Sequence, residues 1–197
     1  VFKIKLNEIF QTRLVACGYS QIPRVDFTKK SPMVNDITFR LLLLAKMLFG
    51  LDTKIVDVET AFLYGDLEEE IFMECPPGMQ GVSDDEALAL NKCIYGLVQA
   101  ARQYYKKMKT ILKEIGFAGG YVDPCLFVKD CIKGLIYVDL YVDDNLLIGH
   151  TRVISDVIRN LKQKGLVLKI EDELHDYYHV KSNIPKIETE LGWDSHI

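Results

Sequence analysis

Two apolar runs separated by an acidic pair do the most to limit how this chain can fold. Leu135-Ile136-Tyr137-Val138 precedes, and Leu146-Leu147-Ile148 follows, the segment Tyr141-Val142-Asp143-Asp144-Asn145. The runs have the length and composition of strands, and Asp-Asp-Asn is favoured at tight turns, so the segment predicts an apolar hairpin with acids at its tip. Successive side chains on a strand point to opposite faces, so two neighbouring carboxylates reach one site only where the strand bends. An acidic pair at a turn is most often just solvated. A divalent cation needs more: hard oxygen ligands converging from separate parts of the chain.

Asp57 is the candidate third acid. It stands near the end of Lys54-Ile55-Val56-Asp57-Val58, a short β-branched run suited to a buried strand, where apolar residues would otherwise be expected. Taken alone, an acid there is equally well a turn or cap residue. If its strand lies beside the hairpin, the carboxylates meet at one edge of a sheet and a cation can neutralise their repulsion.

The rest of the chain supplies a frame for that sheet. Phe2–Leu6 and Ile9–Cys17, with Asn7-Glu8 between them, suggest a hairpin in a β-rich entry region. Ile37 to Phe49 reads as a buried helix with Asp36 as N-cap and Gly50 as its stop. Tyr104, Met108, Ile111, Leu112 and Ile115 recur at helical spacing between Gln99 and Ile115, with lysines opposite and Gly116 following. Leu126–Val128 is a further strand, Ile154–Lys164 a helix closed by Gly165, and Leu166–Ile170 a strand. The order strand, helix, strand-strand, helix, strand over Lys54–Ile170 is the split βαβ plan of a ferredoxin-like α+β unit. No repeat or low-complexity segment interrupts it.

Composition narrows the class. With 197 residues, 49% hydrophobic and 26% charged, the chain is long enough for one core-bearing unit, and wholesale disorder is excluded. Five scattered cysteines match neither a zinc pattern nor a secreted scaffold and read as reduced intracellular thiols. The apolar run Leu41–Leu51 is broken by Lys46 and too short to cross a bilayer, and nothing resembles a signal peptide, so the expectation is an intracellular protein off the membrane. The net charge of −4 argues against a nucleic-acid partner. Against it stands a cluster of Arg102, Lys106, Lys107, Lys109 and Lys113 on one predicted helix, and field distribution matters more than the sum.

Six ordered segments carry a resemblance: Arg13–Gln21 (RLVACGYSQ), Phe27-Thr28 with Ser31-Pro32, Asp57–Leu67 (DVETAFLYGDL), Met73–Gly78 (MECPPG), Tyr95–Gln99 (YGLVQ) and Tyr141–Asp144 (YVDD). In order and spacing, from about Phe2 to Asp172, the chain resembles the reverse transcriptases of copia-type (Ty1/copia) retrotransposons. The resemblance implies an RNA-directed DNA polymerase with a reverse-transcriptase-like palm and a β-rich fingers subdomain over residues 1–172. It implies catalytic Asp57, Asp143 and Asp144, which with the Val58 carbonyl hold two Mg2+ ions, Mn2+ being an alternative. It also implies nucleotide contacts from Arg13, Phe62, Gln99, Tyr141 and Val142. Arg13 would meet the triphosphate, Phe62 would lie under the sugar and reject a 2′-hydroxyl, Gln99 would sit near the incoming nucleotide, and Tyr141 and Val142 would lie near the primer terminus. Without the resemblance, Phe62 reads as a core aromatic and the polar residues as surface groups.

The implied partners are an RNA template, a DNA primer and deoxynucleoside triphosphates. The RNase H and integrase segments of a Pol polyprotein are further partners. The implied location is the cytoplasm, inside a virus-like particle for an intact element. The chain also departs from the family. One residue is lacking between Phe27-Thr28 and Ser31-Pro32, Gln11 and Val98 replace common basic residues, and Ala101 replaces a common proline. Residues 173–197 form a divergent tail with no recognisable thumb. These changes favour an alternative reading: a catalytically silent remnant that at most binds nucleic acid or a partner protein. A nucleotide cyclase built on a similar metal pair is a third reading, disfavoured by the Phe62 and Gln99 segments.

Overall fold

The computed structural model describes residues 2–4, 10–27, 31–76, 78–79, 81, 83 and 85–171. The Asn7-Glu8 turn, the Lys29-Lys30 loop and the tail 173–197 lie outside the described residues. Within them the fold is α+β, with a mostly antiparallel sheet at its centre. Ten strands are β1 (Phe2–Ile4), β2 (Phe10–Thr12), β3 (Asp52–Val58), β4 (Phe72–Glu74), β5 (Ala87–Ala89), β6 (Ala118–Gly119), β7 (Leu126–Cys131), β8 (Gly134–Tyr141), β9 (Asp144–Gly149) and β10 (Leu168–Glu171). The helices are α1 (Asp36–Phe49), α2 (Ala100–Glu114) and α3 (Thr151–Gln163).

Six strands form one sheet in the order β10-β3-β9-β8-β7-β6, every neighbouring pair antiparallel. The chain leaves β3, runs through α2, and returns at β8 with β9 filling the gap between them, which is what a split βαβ connection produces. Central β9 is buried from Asn145 to Gly149. Around it Val56, Val138, Leu146, Leu147 and Ile148 pack with Tyr104, Met108 and Leu112 of α2 and Ile154, Val157 and Leu161 of α3 in one core. The periodic residues expected to face inward on α2 do so, Ile115 only partly.

Gly50 ends α1 in the left-handed conformation, φ 59°, where a side chain would be strained. The start of α1 differs from expectation. Asn35, not Asp36, caps it: the Asn35 side chain accepts from the Ile37 N–H at 2.9 Å. Asp36 is instead the first helical residue and pairs with Arg40 one turn on. The expectation that α1 is a buried helix is also corrected. Only Phe39 and Leu42 are buried, while Ile37, Leu41, Leu44, Met47, Leu48 and Phe49 are exposed, because one stripe of the helix meets the sheet and the rest does not.

Two small sheets flank the large one: β1 pairs with β2, as the expected entry hairpin requires, and β4 pairs with β5. The entry region is pinned where two main chains cross. The Ala16 N–H donates to the Tyr95 carbonyl at 2.8 Å. A Cβ on Gly96 (φ 94°) would sit 2.0 Å from the Ala16 carbonyl oxygen, and one on Gly18 would sit 1.9 Å from that of Gly96. Only glycine allows that approach. All five cysteines are free thiols, and among the described residues no helix is long and apolar enough to cross a membrane.

Candidate active site

Register places the acids. Asp57, next to last in β3, is the direct partner of Asp144 in β9 and of Lys169 in β10. Directly paired residues on adjacent strands share a face, so all three stand on one side of the sheet at one end. Asp144 also pairs with Tyr141, which leaves Val142-Asp143 as a two-residue hairpin loop. The Asp143 carbonyl accepts from the Val58 N–H at 3.2 Å, fastening the tip to β3.

Asp57 and Asp143 line one cleft of about 550 Å³, together with Val58, Thr60, Arg13, Tyr95 and Lys169. Its field is dominated by the acids. Burial first, and the charge of Asp143 second, push the Asp57 carboxyl above its ordinary value of 3.8, with Lys169 pulling the other way. Burial, Asp143 and Asp57 likewise raise the Tyr95 phenol, opposed by Arg13. The guanidinium of Arg13 lies over the Tyr95 ring, 4.7 Å from its centroid. Phe62 packs edge-on, 4.6 Å from Tyr95 and 6.5 Å from Tyr104 between ring centroids.

Backbone strain collects at the same place. Thr60 (φ 54°) and Val142 (φ 52°) are both β-branched residues in the left-handed region. Such a conformation costs about 1–3 kcal/mol and persists only where its surroundings over-determine it.

Of the residues singled out from sequence, the cleft gathers Arg13, Asp57, Val58 and Asp143. Phe62 touches Tyr95 but does not itself line the cleft. Val142 is part-exposed at the hairpin tip, Tyr141 ends β8, and Asp144 pairs with Asp57 but does not line the cleft. Gln99 is elsewhere: it is 1% exposed, its oxygen accepts from Gln21 Nε2 at 3.0 Å and its nitrogen donates to the Asp26 carbonyl at 3.1 Å. That amide braces the entry region against the start of α2. Among the described residues, no group of three or more His, Cys, Asp or Glu side chains is placed to hold a metal ion. Sequence reasoning missed Tyr95 and Lys169 as cleft residues. Tyr95 was visible as part of a matching motif, whereas Lys169 becomes significant only once β10 is known to pair with β3.

The described residues form a mixed α and β fold around a mostly antiparallel sheet, with Asp57 and Asp143 on one cleft, and sequence comparison names the family. The family described as reverse transcriptase (RNA-dependent DNA polymerase) matches residues 1–182, and the chain belongs to it. Among its relatives, the retrovirus-related Pol polyprotein from transposon TNT 1-94 of Nicotiana tabacum is 36% identical over 189 residues, covering 92% of this chain and 13% of the relative. The corresponding polyprotein from transposon RE2 of Arabidopsis thaliana is 32% identical over 175 residues, covering 88% and 12%. The transposon Ty1-DR5 Gag-Pol polyprotein of Saccharomyces cerevisiae is 29% identical over 147 residues, covering 67% and 8%. The chain is thus of the copia type and spans about an eighth of the length of the plant relatives. No solved structure matches it.

Proposed function

We propose that this chain is the fingers and palm of a copia-type reverse transcriptase and carries the nucleotidyl-transfer site of an RNA-directed DNA polymerase. The observation that carries the reading is that Asp57 and Asp143, 86 positions apart in the numbering, face one cleft across a main-chain hydrogen bond. The six-stranded sheet with α2 and α3 is the palm, and the β1–β2 region is the start of the fingers. The tail 173–197 falls outside both.

The oxygen donors of the cleft are of the kind a divalent cation takes, although among the described residues no three acids are gathered to hold one. Burial first and the charge of Asp143 second raise the Asp57 carboxyl, so positive charge would be favourable there, and carboxylate and carbonyl oxygens are the ligands that magnesium takes. Asp57, Asp143 and the Val58 carbonyl would hold it, with Mn2+ able to substitute; Asp144, which pairs with Asp57 but does not line the cleft, would have to turn toward it to join the set. Magnesium bound there supplies Lewis-acid charge for phosphoryl transfer. The protein's own part is positioning. Arg13, lying over the Tyr95 ring, carries a planar fork suited to the triphosphate of an incoming nucleotide. Phe62, in edge contact with Tyr95 and Tyr104, is the residue that would reject a 2′-hydroxyl on this reading, although it does not itself line the cleft. Val142 and Tyr141 lie at the tip where a primer end would approach. The RNA template and DNA primer would enter with the other Pol segments, RNase H and integrase, on the same polyprotein.

A second reading, a silent remnant that only binds nucleic acid or a partner, is favoured by two placements. Asp144 stands off the cleft, and Gln99 is tied into a structural brace. Primer extension on an RNA template with magnesium separates the two. The enzyme reading predicts incorporation that Asp143→Ala abolishes. Equal signals from both proteins would leave only the remnant.

A further inference from the structure

One buried polar side chain lies directly behind the acidic tip. Asn145 is 1% exposed in β9, in register with Val56 on one side and Leu140 on the other, and is followed by Leu146, Leu147 and Ile148, all fully buried. An apolar side chain would fit the pattern of that strand. The Asn145 amide nitrogen instead donates to the Val56 carbonyl at 3.0 Å and to the Asp143 carbonyl at 3.2 Å, with the Tyr104 hydroxyl oxygen a longer third contact at 3.4 Å. Carbonyls cannot donate, so these two neighbours fix which end of the amide faces them. The other end, Oδ1, is buried with no hydrogen-bond partner among the described residues. Leaving such an oxygen unsatisfied is destabilising.

The side chain therefore joins three elements, β3, the hairpin tip and α2, at some expense of stability. The Asp143 carbonyl receives two donors, the Val58 N–H from β3 and the Asn145 amide from its own strand. These are the contacts that over-determine the tip while Val142 is held at φ 52°. We infer that Asn145 is a positioning residue: it clamps the strained loop so that the Asp143 carboxylate is presented to the cleft opposite Asp57. The inference rests on the reading of that cleft as a cation-holding site, but the clamp itself is measurable without any cation.

The test uses the full chain and the variants Asn145→Leu and Asn145→Ala. Leucine fills the space without amide donors, so Asn145→Leu should keep or raise Tm. Its Val58 N–H, which reports the β3-to-tip bond, should exchange with solvent at least about tenfold faster, while that of Phe127 in β7 is unchanged. In parallel, the electron paramagnetic resonance signal of free Mn2+ gives the Mn2+ affinity, which should weaken about tenfold in Asn145→Leu. If Val58 exchange is unaltered, or quickens only in step with a global loss of stability seen also at Phe127, Asn145 is an ordinary core residue and the inference is overturned. If wild type binds Mn2+ no better than Asp143→Ala yet Asn145→Leu still frees Val58 selectively, the clamp stands and the cation reading of the cleft fails. Asn145→Ala guards against misfolding of the leucine variant: it should lower Tm through the cavity it leaves and still free Val58 beyond that loss.

Discussion

The six-stranded sheet and the entry region around β2 meet at the cleft but are held by different means. In the sheet, Asp57 sits on a strand paired on both flanks and Asp143 on the loop joining two such strands, and the sheet packs against α1, α2 and α3. In the entry region, Arg13 follows a three-residue strand and lies over Tyr95, and the region is tied down by the Ala16–Tyr95 main-chain bond, the glycine crossing and the Gln21–Gln99–Asp26 brace. On the proposed reading, the acids that would share a cation stand on or beside the large sheet. Arg13, the cation that on the proposed reading would meet a charged ligand, stands outside the large sheet, next to a smaller cluster around Ala16, Cys93 and Ala100. A paired scaffold with a binding arm beside it is a common division of labour in sites that bind and then react.

If the comparison holds, stability should reside in the sheet. Leu147 is fully buried in β9 between β3 and β8, and Leu147→Ala should lower unfolding free energy by about 3–5 kcal/mol in urea titration. A loss under 1 kcal/mol would break the picture of a sheet-centred core. Gly96→Ala attacks the crossing instead. It should cost about 2–4 kcal/mol locally through its positive φ and the collision with Ala16. Limited proteolysis should then cut within residues 10–27 while the Tm of the sheet moves little. A Tm drop as large as that of Leu147→Ala would show one cooperative unit rather than two.

Smaller effects sharpen the electrostatic side. The Asp57 carboxyl is raised from 3.8, so the folded state binds its proton more tightly than the unfolded state does. Stability from this group therefore falls as pH rises from 3.8 through the folded value, and the charged form is a burden at neutral pH. Asp57→Asn should raise Tm by about 2–4 °C at pH 7, and the gain should shrink as pH is lowered toward 4. A gain that grows on acidification would reverse the sign and contradict the burial-and-repulsion origin of the shift. Least affected should be Phe10→Ala. That ring is 81% exposed in β2, and its removal should change stability by no more than about 0.5 kcal/mol in the same urea assay.

Much of this was legible in the chain itself, for identifiable reasons. Helices α2 and α3 showed because apolar residues recur at helical spacing and glycines stop them: Gly116 and Gly165 have φ of 93° and 86°. The β8–β9 hairpin showed because two apolar runs bracket turn-forming acids. Strands β4, β5 and β6 did not, since pieces of two or three residues carry no alternation and β4 runs into a proline-rich stretch. The exposure of α1 was hidden because its sequence is apolar on nearly every face. At the site, Asp57 was readable as an acid out of place in an apolar strand. Lys169 was not, because a lysine in an edge strand is ordinary until pairing puts it opposite Asp57. The part played by Asn145 was concealed too: after two aspartates it looks like a turn residue, and only the register shows it buried in β9.

The most direct test is anomalous diffraction from crystals of the chain soaked in MnCl2 with a deoxynucleoside triphosphate. A Mn2+ peak within about 2.0–2.6 Å of one carboxylate oxygen from each of Asp57 and Asp143 is the predicted result. An empty cleft beside well-ordered Asp57 and Asp143, or manganese bound only elsewhere on the surface, would contradict it.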